Sequence, residues 1–128
     1  MVFVIVFLLS GILGWAFDTT YRSMLVGRYA PGTYIPFFAT CFGVAGTMIF
    51  FIFTHVPSLY AQIILGTLVA ILVEFISGVF CITVYKRRLW DYSGRFLNVF
   101  GHIDFLHSFY WFTLVLISDV IYRSFSGQ

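Results

Sequence analysis

The sequence predicts an all-α membrane protein: a compact bundle of four transmembrane helices forming a single domain over residues 1–128, with both termini outside and the polar loops cytoplasmic. Three observations carry this. The chain is 61% hydrophobic and only 9% charged, with a mean hydropathy of +0.99, whereas soluble domains carry about 25% charged residues; so few charges cannot clothe this much apolar surface in water. The few charges fall between long apolar runs, as the ends of spanning helices require. Finally, six of the basic residues, Arg22, Arg28, Lys86, Arg87, Arg88 and Arg95, fall in the loops that four helices would place on one side, against Arg123 alone on the other. That bias follows the positive-inside rule, and it opposes an antiparallel dimer of the small-multidrug-exporter kind, which needs balanced charge.

Helix one is expected over about residues 1–22. Met1 to Phe17 is free of charged side chains, and 17 residues at ~1.5 Å each reach roughly 26 Å, nearly a bilayer core. A cleaved signal peptide fits worse: Met1-Val2-Phe3 supplies no base, and Gly14-Trp15-Ala16-Phe17 is a poor cleavage site. Asp18 and Arg22 are four apart and face each other on the helix's continuation. Pro31-Gly32 stops a helix. From Tyr29 to Val73 no Asp, Glu, Lys or Arg occurs, too long for one helix, and Pro57 marks the turn. Helix two is therefore expected over 35–53 and helix three over 58–85. Gly43 and Gly46 on the second, and Gly66, Ser77 and Gly78 on the third, allow close helix packing. Helix four is expected over 102–122, with Asp119 and Arg123 read as a weak surface pair.

Chemistry concentrates between Leu72 and His107. Glu74 lies roughly 18 Å along the helix from Lys86, where a carboxylate costs several kcal/mol unless paired, wetted or protonated. It shares a face with Ser77, Gly78 and Cys81, and is read either as a proton or cation site or as a polar tie between helices. Asp104, His107, Ser108 and Trp111 share a face of helix four: Asp104 either orients the His107 imidazole or caps the helix while His107 packs as a core residue. Trp90 and Tyr92 suit the headgroup level, with Asp91 capping a short helix or pairing to Arg95 or Arg22; alternatively the loop forms the lid or floor of a cytoplasmic-side site. Cys41 and Cys81 read as packed thiols. His55 is remote from the other histidines and no H-E-x-x-H stretch is present, so neither a metal nor another cofactor is expected.

At this point the chain resembles the putative ABC-transporter type IV, or CmpB-like, family of small integral membrane proteins. Gly14-Trp15-Ala16-Phe17-Asp18-Thr19-Thr20-Tyr21-Arg22 is similar to its first motif and Glu74-Phe75-Ile76-Ser77-Gly78 to its second. Trp90-Asp91-Tyr92-Ser93, followed by Asn98, Gly101, Ser108 and Trp111, is similar to its third. The resemblance runs from about Ile12 to Leu114. Asp18 stands where bacterial members often have Glu, Ile82 where many carry a second acid, Phe96 for a common Pro and His102 for a common Arg. The resemblance implies a four-helix integral membrane protein. Because no G-x-x-x-x-G-K-[ST] loop is present in this sequence, the resemblance to an ABC-transporter type implies a separate ATPase subunit.

The function expected is a small permease or transport subunit with a substrate or ion site formed by Glu74, Asp18, Arg22, Asp91, Arg95, Asn98, Asp104 and His107. The alternative is a non-catalytic accessory or assembly subunit of a larger membrane complex. The expected partners are the lipid bilayer and copies of the same chain or a larger membrane assembly. The basic residues at the edges of apolar runs argue against nucleic acid, and no nucleophile–base pair has a spacing that argues for an enzyme. An inner or plasma membrane is the expected location.

Overall fold

In the computed structural model, which describes residues 1–127, the chain forms four α-helices: α1 Val2–Val26, α2 Thr40–His55, α3 Leu59–Thr83 and α4 Phe105–Ser126. Among the described residues there is no β-strand, only isolated bridges Ile35–Phe38 and Val99–Ile103. α1, α3 and α4 are long and apolar enough to cross a membrane; α2 has 16 residues and is shorter. Their outward faces carry Leu8, Ile12, Leu68, Leu72, Ile76 and Val120. Apolar side chains thus point outward as well as inward, the pattern of helices solvated by lipid.

α2 is the hub. It packs against α1, α3 and α4, while the α1 backbone comes close to that of α2 alone among the helices. The α1–α2 contact is made by small residues on both sides. A Cβ on Gly11 would strike the Phe38 ring and one on Gly14 the Phe42 ring; across the interface, Gly43 faces Phe7 and Gly46 faces Ser10. Between helices in lipid, where apolar burial gives no net drive, such close van der Waals fit supplies the association. The core is correspondingly thin: Ala45, Ala70 and Val115 are fully buried, with Ile49, Phe53, Val73 and Trp111 around them. Gly66 of α3 sits beneath Val115 of α4.

The helix ends correct the sequence expectation in three places. Helix one runs on to Val26, where Gly27 takes a left-handed φ of 69° and ends it, as C-terminal glycines do. Helix two begins at Thr40 instead of Ile35. Phe37 turns the chain at φ 63°, and the Ala39 amide donates to the Gly11 carbonyl at 2.9 Å, which fastens the segment before α2 to α1. Helix four begins at Phe105 instead of His102 and continues to Ser126. Asp104 is extended (φ −147°, ψ 175°) and its side chain accepts from the His107 amide, so it is the N-cap. Helix three runs within about two residues of the expected ends. Its N-cap is Ser58, whose hydroxyl accepts from the Ala61 amide.

The segment from Val84 to Asp104 is a folded loop. Tyr92 and Gly101 are joined by a backbone hydrogen bond of 2.9 Å, and Val99 and Ile103 by one of 3.0 Å. The Trp90 indole donates to the His102 carbonyl at 2.9 Å. Gly101, at φ 71°, lies against Asp91, Arg88 and Ser93, leaving no room for a side chain. The result is a plug that presses Tyr92 and His102 inward, both buried.

Candidate functional site

Glu74 lies past the middle of α3 and is buried. Both carboxylate oxygens are served by neutral donors. The Tyr92 hydroxyl donates to Oε1 at 3.1 Å and the Trp111 indole donates to Oε2 at 2.8 Å. Among the described residues Glu74 has no basic partner. Its neighbours Gly78 and Cys81 on the same helix face are buried as well; Gly78 accommodates the His102 ring, which also meets Phe75 edge-on.

The Tyr92 ring links this carboxylate to the start of α4. It stacks on His107 with ring centroids 3.9 Å apart and planes 10° apart. His107 Nδ1 is 2.7 Å from Asp104 Oδ1, the same oxygen that accepts from the His107 amide at 2.8 Å. Asp104 therefore both caps the helix and orients the imidazole, so the two readings of this pair coexist. Asp104 Oδ2 is buried and, among the described residues, lacks a hydrogen bond; Arg95 Nε stands 3.8 Å from it. Tyr21 and Tyr110 complete an aromatic wall around His107, both edge-on to it.

On α1, Asp18 and Arg22 pair at 2.8 Å. Gly32 is backed against the pair, and Arg22 reaches the Leu89 carbonyl at 3.4 Å. A cavity of about 360 Å³ between α1 and α4 is lined by Glu74, Asp18, Tyr92 and His107 together. A second, more polar cavity continues from it toward the loop and adds Arg22, Asp91 and Arg95.

Of the eight residues expected at the site, six line this connected space: Glu74, Asp18, Arg22, Asp91, Arg95 and His107. Asp104 does not line it; it is buried behind His107, whose imidazole it holds. Asp91 reaches its rim, but its exposed carboxylate is spent on the Ser93 amide and hydroxyl and on Arg88. Those Ser93 donors hold the Asp91 carboxyl below the usual carboxylate range. Asn98 does not face the cavity. Its side chain staples its own turn, donating to the Arg95 carbonyl and accepting from the Gly101 amide. In the same loop, burial pushes the Tyr92 hydroxyl up, reinforced by the Glu74 carboxylate, so Tyr92 remains a donor. Burial, with Arg88 nearby, pushes His102 down.

Two donors and one outlying cluster escape a reading along the chain. Tyr92 and Trp111 are the hydrogen-bond donors to Glu74, yet they lie 18 and 37 positions from it. The available signal was that a Trp N–H in an apolar helix needs an acceptor. At the far end of α4, Asp119 is buried, not a surface group as expected. Arg123 pairs with it at 2.9 Å and also donates to the Gln62 side chain at 2.8 Å. Gln62 in turn donates to the carbonyls of Phe53 and Val56, which ties the α2–α3 turn to α4.

Comparison with known families places residues 5–126 in a match to the model described as Putative ABC-transporter type IV. No curated protein and no solved structure matches the chain.

Proposed function

From the premise that the chain belongs to the Putative ABC-transporter type IV family, we propose that it is a multi-pass membrane transport subunit whose substrate or ion site is centred on Glu74. The observation that carries this reading is the imbalance at that residue. Asp18 has Arg22, Asp104 has Arg95 and His107, and Asp119 has Arg123; among the described residues Glu74 has only the neutral donors Tyr92 and Trp111. An acid left without a counter-charge at membrane depth marks an ion or substrate pathway by default. The basic loops then face the cytoplasm and both termini face out. The polar cavity between Arg22 and Arg95 opens the site to that side.

Flux through vesicles reconstituted with the purified chain tests this. Glu74→Gln, which keeps the size and one acceptor oxygen but removes the charge, abolishes flux while inserting and eluting as the parent does. Unchanged flux in that variant removes Glu74 from the mechanism.

One observation favours a second reading, an accessory subunit of a larger membrane assembly. The α1 backbone approaches only α2, leaving Leu8, Leu9, Ile12 and Leu13 exposed along it. Gentle extraction followed by native mass spectrometry separates the two: a constant larger companion supports the accessory role, copies of the chain alone the transport role.

A further inference from the structure

We infer that the cavity between α1 and α4 takes an apolar organic monocation, a substituted ammonium carrying a hydrocarbon or aromatic group, with Glu74 as its counter-charge. This rests on the transport reading above and names its substrate class.

The wall chemistry selects the ligand. The cavity that Glu74 lines also carries the rings of Phe17, Tyr21, Phe42, Tyr110 and Trp111, while Tyr92 gives its hydroxyl to the carboxylate and a ring face to His107. Trp111 meets Phe42 at 4.8 Å between centroids, and Tyr110 meets Tyr21 at 5.8 Å. Aromatic faces around one carboxylate form the surroundings that bind a quaternary or tertiary ammonium, through the ring quadrupole and a single opposite charge. A hard metal cation fits the same wall poorly: sodium-like and calcium-like ions want about six oxygens, and this lining is dominated by ring carbon. An anion fits worse still, since the Glu74 carboxylate, which among the described residues has no counter-charge beside it, repels it. The volume of about 360 Å³ lies within the ~300–1,000 Å³ of small-molecule sites.

The cavity's two openings suit an amphiphilic cation. Along α1 and α4 it is continuous with a larger apolar groove that shares Phe17, Tyr21, Phe42, Trp111 and Leu114 with it. Toward the loop it is continuous with the polar cavity, sharing Asp18, Tyr21, Tyr92 and His107. A molecule dissolved in the lipid would enter sideways past apolar residues, and its charge would meet Glu74 at the junction with the polar arm.

The test is calorimetric titration of the whole chain in lipid nanodiscs with benzyltrimethylammonium, and with neopentylbenzene, which has the same shape and no charge. The expected result is at least about tenfold tighter binding of the cation, loss of that preference in Glu74→Gln, and a weakening of about tenfold in Tyr110→Leu, which keeps bulk but removes a ring face. Equal binding of the neutral isostere, or undiminished cation binding in Glu74→Gln, overturns the inference. Tyr110→Leu answers the question on its own should Glu74→Gln fail to fold: undiminished affinity there also overturns it. The transport reading fails separately. Proton or sodium flux dependent on Glu74 without cation binding sinks this inference and leaves that reading standing; cation binding with no flux does the reverse.

Discussion

The Trp111 indole N–H points at Glu74 Oε2 from 2.8 Å, joining α4 to α3 across 37 positions of sequence. With the Tyr92 hydroxyl on the other oxygen, it makes the buried carboxylate the point where α3, α4 and the long loop converge. Removing either donor leaves a buried carboxylate oxygen without its protein partner.

Trp111→Phe therefore destabilises the protein by about 1–3 kcal/mol, the usual cost of an unpaired buried acceptor. In the Glu74→Leu background the same change costs less, because no acceptor remains to be stranded. Thermal unfolding in a fixed detergent, run as a double-mutant cycle, measures the coupling; a zero coupling energy shows that the contact contributes nothing to stability.

At the α1–α2 contact, Gly14→Leu drives a side chain into the Phe42 ring. We expect a loss of about 1–3 kcal/mol or more from overpacking, while Leu13→Ala on the exposed face of the same helix shifts the melting temperature little. Comparable shifts in the two variants would refute the small-residue contact as the source of α1–α2 association.

Arg123→Gln leaves the buried Asp119 carboxylate without its cation. Because Arg123 keeps partial exposure, the cost is about 1–3 kcal/mol, less than for a fully buried pair. Adding Asp119→Asn recovers part of it. Unfolding midpoints of the single and double variants check this, and no recovery means the arginine acts through Gln62 instead.

The buried His102 ring gives a pH signature. Its folded pKa is depressed below 6.5 by burial and by Arg88, so the unfolded chain takes up the proton first as pH falls. The sign follows: His102 costs no stability above about pH 6.5, and stability drops as pH falls below that value toward the folded pKa. His102→Asn flattens the melting temperature between about pH 7 and pH 5; an unchanged slope assigns the acid sensitivity to other groups.

Four helices and most of their extent were legible in the sequence because apolar runs and Pro57 punctuate them strongly. The starts of α2 and α4 were not, since each depends on a local event. A left-handed Phe37 is one, and an Asp104 side chain used as a cap instead of a helical residue is the other. Gly43 and Gly46 stand out within α2, whereas the packing role of Gly11 and Gly14 in α1 does not, because a glycine in an apolar helix is silent until its neighbouring ring is placed. Glu74 announced itself by its cost; its donors did not, since Tyr92 reads equally well as a headgroup-level ring and Trp111 as core. The burial of Asp119 is illegible for a related reason: an i,i+4 acid–base pair looks the same in sequence whether its acid is exposed or buried.

The order of the donors along the chain also bears on biogenesis. Tyr92 and Trp111 both follow Glu74, so a growing polypeptide delivers α3 to the bilayer before anything can satisfy its carboxylate. Between synthesis of α3 and arrival of α4, the acid must stay beside the polar surroundings of the insertion machinery. Chains cut short after Thr83 should therefore be retained at the insertion machinery or degraded, and extension through Trp111 should release them.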